Sequence, residues 1–270
     1  MPLNDELLQQ SHQVTLRAGT LRCAACLLGE VLRLKSNQEM AIITGSGDLQ
    51  AEPVKVEMKL RQRSAFAVQH MMAAARFSRM CGEIEIANQD QPLGNFFSTQ
   101  IGTVSATVML TVASLESNIN EYLCKPEQVF PNLSGESPKT LVRLLEQKSI
   151  LEKYQAVLSF RDVAEYPAGE SPYQDVDALI KLRNALVHFK PEWHDEQELH
   201  RKIEGRLKGR FAINPAIGEN GVFFPQQCMS YGCTKWTVNT SLAFMKDFSE
   251  RSGLPYCFVK FSSRIKPELD

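Results

Sequence analysis

Residues 171–191 read SPYQDVDALIKLRNALVHFKP, and this stretch decides the fold class. Val176, Leu179, Ile180, Leu182, Leu186 and Val187 recur every three or four residues, the spacing of one helix face turned to a core. Ser171-Pro172 puts a hydroxyl and a proline at the start of the run, a helix-opening signal. Pro191 closes it, because the residue before a proline is disfavoured in the helical region.

The same pattern extends in both directions. Phe66, Val68, His70, Met71, Met72 and Ala73 to Ala75 predict a helix from Arg61 to about Met80, and a longer one is predicted over about Thr99 to Leu123. Ser137-Pro138 opens another, carrying Leu141, Leu144, Leu145, Leu151, Tyr154 and Leu158 with a short break at Ser149-Ile150. A basic helix, Glu196 to Leu207, precedes a Gly/Pro/Asn-rich loop from Asn214 to Pro225. Trp236, Leu242, Phe244, Met245 and Phe248 mark a last helix near Cys233 to Ser249, and Cys257 to Phe261 predicts a short strand. Residues 1–60 differ: Val14 and Leu16, then Val54, Val56, Met58 and Leu60, alternate with polar neighbours around a Gly45-Ser46-Gly47-Asp48 turn signal. The expectation is a mainly α protein, with a small β-containing or irregular N-terminal segment (1–60) ahead of a helical domain (61–270).

Composition bounds the partners. The chain has 270 residues, 43% hydrophobic and 23% charged, ordinary globular proportions that exclude a disordered or collagen-like chain. Thirty Lys and Arg against 31 Asp and Glu leave a net charge of -1, so no global positive field draws in nucleic acid; a local patch must hold it. The beginning of the chain, with Asp5 and Glu6, lacks the pattern of a signal peptide. Ile101 to Leu115 reads as too short and, with Thr103, Ser105, Thr107, Thr111 and Ser114, too polar for a membrane span. Seven irregularly spaced cysteines predict free thiols in a reducing cytoplasm.

Three groups suited to phosphate chemistry share the end of the 171–191 helix. Asn184 and His188, four residues apart, fall about 40° apart around the axis. Arg183 brings a permanent charge that grips phosphate oxygens in pairs, and histidine exchanges a proton near neutrality. Together they can polarise a phosphodiester and move a proton, which points to metal-independent RNA cleavage by the 2′-hydroxyl. The same residues also suit plain helix termination, where histidine caps the last carbonyls.

Arg183-Asn184-x3-His188 resembles the Arg-polar-x3-His signature of HEPN-like proteins. Ser114 to Leu123 is similar to the first long helix of that family, Leu151-Glu152-Lys153-Tyr154 to its next helix, and Asp177 to Leu182 to the lead into its motif. The run Cys228-x4-Cys233-x2-Trp236 resembles bacterial members. The resemblance covers about residues 97–250. It implies an α-helical bundle that dimerises so that two motifs face one another across a cleft, and an endoribonuclease needing no metal, often in toxin–antitoxin, phage-defence or RNA-processing settings. It further implies that Arg183 stabilises the scissile phosphate, His188 serves as general acid/base and Asn184 orients one of them, with Glu116 and Asn120 behind them. An antitoxin or regulatory protein is the protein partner it implies. Some members are not catalytic, so an interaction or nucleotide-binding module on the same helical face stands as the alternative. Pairing of Arg183 with Glu116 or another carboxylate would favour that alternative.

Arg201, Lys202, Arg206, Lys208 and Arg210 follow the motif closely. They read as an RNA backbone contact or as a solvated helix face. Cys23-Ala24-Ala25-Cys26 sits in an apolar run and reads as buried thiols rather than zinc ligands. Gly45-Ser46-Gly47 has no following helix and so supports no phosphate loop. Neither a metal nor a cofactor is expected.

Overall fold

Val104, Val108, Val112, Leu115 and Ile119 recur every three or four residues and are buried without remainder. They form the inner stripe of a helix that spans Asn95–Leu123, labelled α2. The computed structural model describes residues 64–193, 198–218 and 221–269, and the chain divides between Ser64 and Ala65. The strands expected at 14–16 and 54–60, the Gly45 turn and the Cys23/Cys26 pair lie outside the described residues.

Among the described residues every regular element is helical, as the mainly α reading expects. Ahead of α2 comes α1 (Ala67–Ala87). After it come α3 (Pro126–Val129), α4 (Ser137–Leu145), α5 (Ile150–Ser159), α6 (Tyr173–Val187), α7 (Glu198–Leu207) and α8 (Tyr231–Ser252). A π turn at Phe223–Gln227 precedes α8 and a 3-10 turn at Val259–Phe261 follows it. Helix α2 is central: α1, α5, α6 and α8 all pack against it.

The contact of α1 with α2 is made by small residues and buried hydroxyls. Ala67 and Ala74 are buried on α1, and such small residues let two helix backbones come close. Facing them, Thr103, Thr107 and Thr111 are buried, and their hydroxyls donate to the carbonyls of Gln100, Thr103 and Thr107 at 2.8 Å each. A buried hydroxyl bonded back to its own helix escapes the cost of an unmade hydrogen bond. Ser114 donates to the Ala67 carbonyl at 2.7 Å, and Glu121 accepts from the Phe66 and Ala67 N–H groups at 2.7 and 2.8 Å. A carboxylate from α2 thus satisfies two of the donors orphaned at the start of α1.

By length and composition α2 is extended and apolar enough to cross a membrane. Both parts of the membrane expectation, too short and too polar, are therefore corrected: the helix runs well beyond 101–115, and its composition is apolar enough for a span. Its inner stripe packs in the protein core, and its buried hydroxyls are met inside the helix.

Aromatic packing ties α5 and α8 to the same core. Tyr154 is fully buried, its ring edge-on to Phe244 and Phe248 with centroids 4.9 and 4.7 Å apart. Its hydroxyl lies 2.9 Å from the Leu115 carbonyl and 3.0 Å from Asn118 Oδ1 of α2. Arg161 donates to the carbonyls of Ser252, Gln128 and Val129 at 2.6, 3.0 and 3.0 Å, which fastens the end of α8 to α3.

Sequence boundaries shift in three instructive places. Ser149 caps α5 in a reciprocal capping box with Glu152, so the expected break is a true helix start. Ser137, by contrast, is the first helical residue rather than a cap, and Ser171 donates to Asp175 Oδ2 at 2.6 Å instead of capping α6. The strand expected at Cys257–Phe261 is a turn: Phe261 N–H donates to the Phe258 carbonyl at 3.0 Å. With no strand among the described residues to pair with, an extended segment there would leave its backbone groups unmet.

Two outcomes follow for stability. Tyr154→Phe removes the hydroxyl from a dry site with two acceptors and should cost about 1–2 kcal/mol in urea unfolding. Glu85 on α1 is half-buried and accepts from the Tyr231 N–H and from Gln100, both at 2.9 Å; burial nevertheless raises its pKa above the usual 4.5. The native state then holds more protons than the unfolded one between 4.5 and that raised value, so stability falls as pH rises through this window. Glu85→Gln keeps an acceptor and loses the charge. Urea midpoints measured from pH 4 to pH 7 should show wild type losing ground to the variant as pH rises.

Candidate functional site

Val176, Leu179 and Leu182 are fully buried and set the roll of α6 against α2, α7 and α8. That roll leaves Arg183 half-buried and Asn184 and His188 exposed at the C-terminal end of the helix. His188 lies one residue past the last helical position, where its N–H donates to the Asn184 carbonyl at 2.9 Å. Arg183 Nε is buried and has no hydrogen-bond partner. Among the described residues no carboxylate lies in ion-pair reach of its guanidinium, Glu116 included, whereas Arg206 and Arg210 each have one.

Glu116 and Asn120 stand on α2, half-buried and exposed respectively. Asn120 is engaged elsewhere: its Oδ1 accepts from the nearly buried Lys153 ammonium of α5 at 3.1 Å. Thus the structure groups Arg183, Asn184 and His188 on one helix end and leaves the two α2 residues without a bond to them.

Large apolar side chains border the motif along the chain. Val187, Phe189 and Trp193 are 51%, 44% and 79% exposed, high values for residues of this kind.

The basic run has a different character from the one its composition suggests. Lys202 pairs with Glu198 and Lys208 with Glu204, each at 2.9 Å, and Arg206 pairs with Asp177 at 3.3 Å. Arg210 pairs with Asp175 and donates to the Arg206 carbonyl at 2.6 Å. Only Arg201, among the described residues of this run, lacks a carboxylate. Four of the five cations are therefore spent locally, two of them in pinning the start of α6 to α7.

His200 precedes that run in sequence but turns inward. It is buried at 6% exposure, stacked on Phe189 and edge-on to Phe224 at 5.4 and 5.2 Å. Its Nε2 donates to the Lys190 carbonyl at 3.0 Å, and Nδ1 faces Glu192 at 3.7 Å. Glu192 also accepts the Leu199 and His200 N–H groups at 3.0 Å each. Although burial pushes its carboxyl up, these donors and the nearby histidine outweigh it and hold Glu192 below the usual carboxylate value. The signal that could have found this is the spacing of His200, Ile203 and Leu207, one inward face of α7.

Among the described residues no three His, Cys, Asp or Glu side chains converge as metal ligands. Cys228 and Cys233 are free and buried, and burial pushes both thiols upward, which makes them unreactive. Two surface hollows are formed elsewhere. One, of about 380 Å³, lies beside α4 between Leu133, Leu141, Leu144 and Phe160; the other lies beside α1.

In comparisons with known proteins, no family model, no curated protein and no solved structure matches the chain.

The pairing pattern predicts unequal effects within the run. Arg210→Ala breaks an ion pair that is 22% and 24% exposed on its two sides and should lower stability by about 1 kcal/mol. Lys202→Ala, in a pair 65% and 80% exposed, should leave the urea midpoint unchanged.

Proposed function

We propose that this chain is a metal-independent endoribonuclease that acts as a homodimer through Arg183, Asn184 and His188. The observation that carries the reading is the Arg183 guanidinium: among the described residues no carboxylate claims it and its Nε has no hydrogen-bond partner, and it shares a helix end with an exposed amide and an exposed imidazole. An arginine kept only for structure is normally paired. One left unpaired beside a histidine is equipped to receive an anion.

In this reading Arg183 holds the non-bridging oxygens of the scissile phosphate and offsets the charge that builds there. His188 takes the proton from the 2′-hydroxyl as the new O2′–P bond forms. The P–O5′ bond breaks, and the leaving oxygen receives its proton from the partner subunit's His188. The products are a 2′,3′-cyclic phosphate and a 5′-hydroxyl, so no water is consumed in this step. Exposed Val187, Phe189 and Trp193 support a second copy docking at this end. The HEPN-like resemblance supports the same arrangement, and with it a toxin–antitoxin or phage-defence role in the cytoplasm, with an antitoxin as a protein partner. The free thiols of Cys81, Cys124, Cys228, Cys233 and Cys257 suit that reducing compartment.

A second reading rests on the paired cations of the 201–210 run. With four of five neutralised, that run gives little purchase on RNA, which favours a non-catalytic interaction or nucleotide-binding module. Incubation of RNA with purified protein in EDTA separates the two. Cleavage to cyclic-phosphate ends should fall at least ~100-fold in His188→Ala and Arg183→Ala, with Asn184→Ala less affected. Undiminished cleavage by His188→Ala would remove the histidine from the mechanism, and intact RNA with a folded wild-type dimer would favour the module.

A further inference from the structure

The chain after α8 returns along α1 and forms a groove with it. The Arg79 guanidinium donates to the Lys266 carbonyl. The Ser78 and Tyr231 hydroxyls both donate to the Pro267 carbonyl at 3.3 Å, and the Leu269 N–H donates to Tyr231 Oη at 2.9 Å. Gly82 permits this approach: a Cβ there would sit 3.0 Å from Leu269 Cδ1 and from the Tyr231 ring. The hollow beside the seam has a volume of about 780 Å³, a size that takes a drug-like ligand or a short piece of a polymer.

Its lining is strongly one-sided in charge. Arg76 and Arg79 enter from α1, Arg264 and Lys266 from the returning tail, and Glu268 is the single acid. Glu268 accepts from Asn239 at 3.0 Å. Among the described residues, none of the four cations has a carboxylate within ion-pair distance, in contrast with Lys202, Arg206, Lys208 and Arg210 of the basic run. Between the cations the surface is apolar, formed by Met72, Phe77 and Met80, all partly exposed.

We propose that this groove between α1 and the C-terminal tail binds a single-stranded nucleic acid. Three of the cations are arginines, which take phosphate oxygens bidentately and stack on bases. Phe77, flanked by methionines, offers the apolar surface on which an unpaired base rests. A duplex keeps its base faces inside and has nothing to place on that surface. An acidic peptide strand would need backbone partners, and the α1 wall has none to spare because its amides are engaged within the helix. The site is separate from Arg183 and His188, so it supplies affinity without chemistry and stands whether or not the chain cuts RNA.

The test is fluorescence anisotropy of the full-length protein with a labelled 2′-O-methyl oligouridine 12-mer and with oligothymidine of equal length. Neither probe has the 2′-hydroxyl needed for cleavage, so binding is read apart from nuclease activity. Four phosphate contacts give a slope of log affinity against log salt of about −2.8. Arg76→Glu with Arg264→Glu should weaken both probes at least tenfold and reduce that slope, while Lys139→Ala, which removes an exposed cation of α4 already paired with Glu136, should not. Phe77→Ala should weaken binding ~5-fold or more. Circular dichroism and the urea midpoint check folding, and Arg76→Gln with Lys266→Gln gives a milder second variant. Unaltered binding in both charge variants would overturn the proposal. So would absence of binding, or equal displacement of the probe by polyglutamate.

Discussion

The close contact of α1 with α2 is the constraint on which the rest of the molecule depends. Two helices approach this tightly only if the residues between them are small, and Ala67 and Ala74, whose carbonyls face Ser114 and Thr107 of α2, meet that requirement. Small residues supply little hydrophobic area, however, so the seam cannot be held by burial alone. Hydroxyls and one carboxylate complete it: Ser114 bonds the start of α1, and Glu121 caps it. Because α2 also receives α5, α6 and α8, its roll about its own axis is inherited by every functional element. A shift at the α1 seam would be felt at the Tyr154 hydroxyl, which reaches across to the Leu115 carbonyl.

Helices were legible in the sequence wherever a large apolar stripe met a polar face. Leu179 and Leu182 on α6, and Phe244 and Phe248 on α8, are such cases, and all four are buried. Periodicity fails for the ends of α1, where Gly82, Glu83 and Glu85 read as polar chain although the helix runs to Ala87. That last stretch is stabilised from outside, by Tyr231 N–H and Gln100 bonding Glu85. The strand expected at Cys257–Phe261 failed for the complementary reason. Alternation of apolar residues describes one segment, whereas a strand exists only as half of a pair.

The candidate site was legible in part. Arg183, Asn184 and His188 are together because a single helix carries them, and helical spacing alone places them on one end. The environment of the cations could not be read in the same way. Asp175 and Asp177 lie some thirty residues before the arginines they pair with, and only the packing of α7 on α6 joins them. His200 likewise adjoins the basic run in sequence, yet aromatic contacts from Phe189 and Phe224 hold it inside.

A nearly neutral protein can attract a polyanion only where its positive charges lack local partners, because an ion pair already formed must be broken before a phosphate gains anything. By that criterion the densest run of Lys and Arg in the sequence is a poor site, since each of four cations there would exchange one carboxylate for one phosphate. The residues that satisfy the criterion are dispersed: Arg183 on α6, Arg76 and Arg79 on α1, Arg264 and Lys266 after α8. None stands out as a linear motif by charge. What unites them is that, among the described residues, no carboxylate lies within ion-pair distance of them, although the chain holds 31 acids. Charge density along the sequence is therefore the wrong quantity for locating an anion site in this molecule; the charge left over after folding is the relevant one.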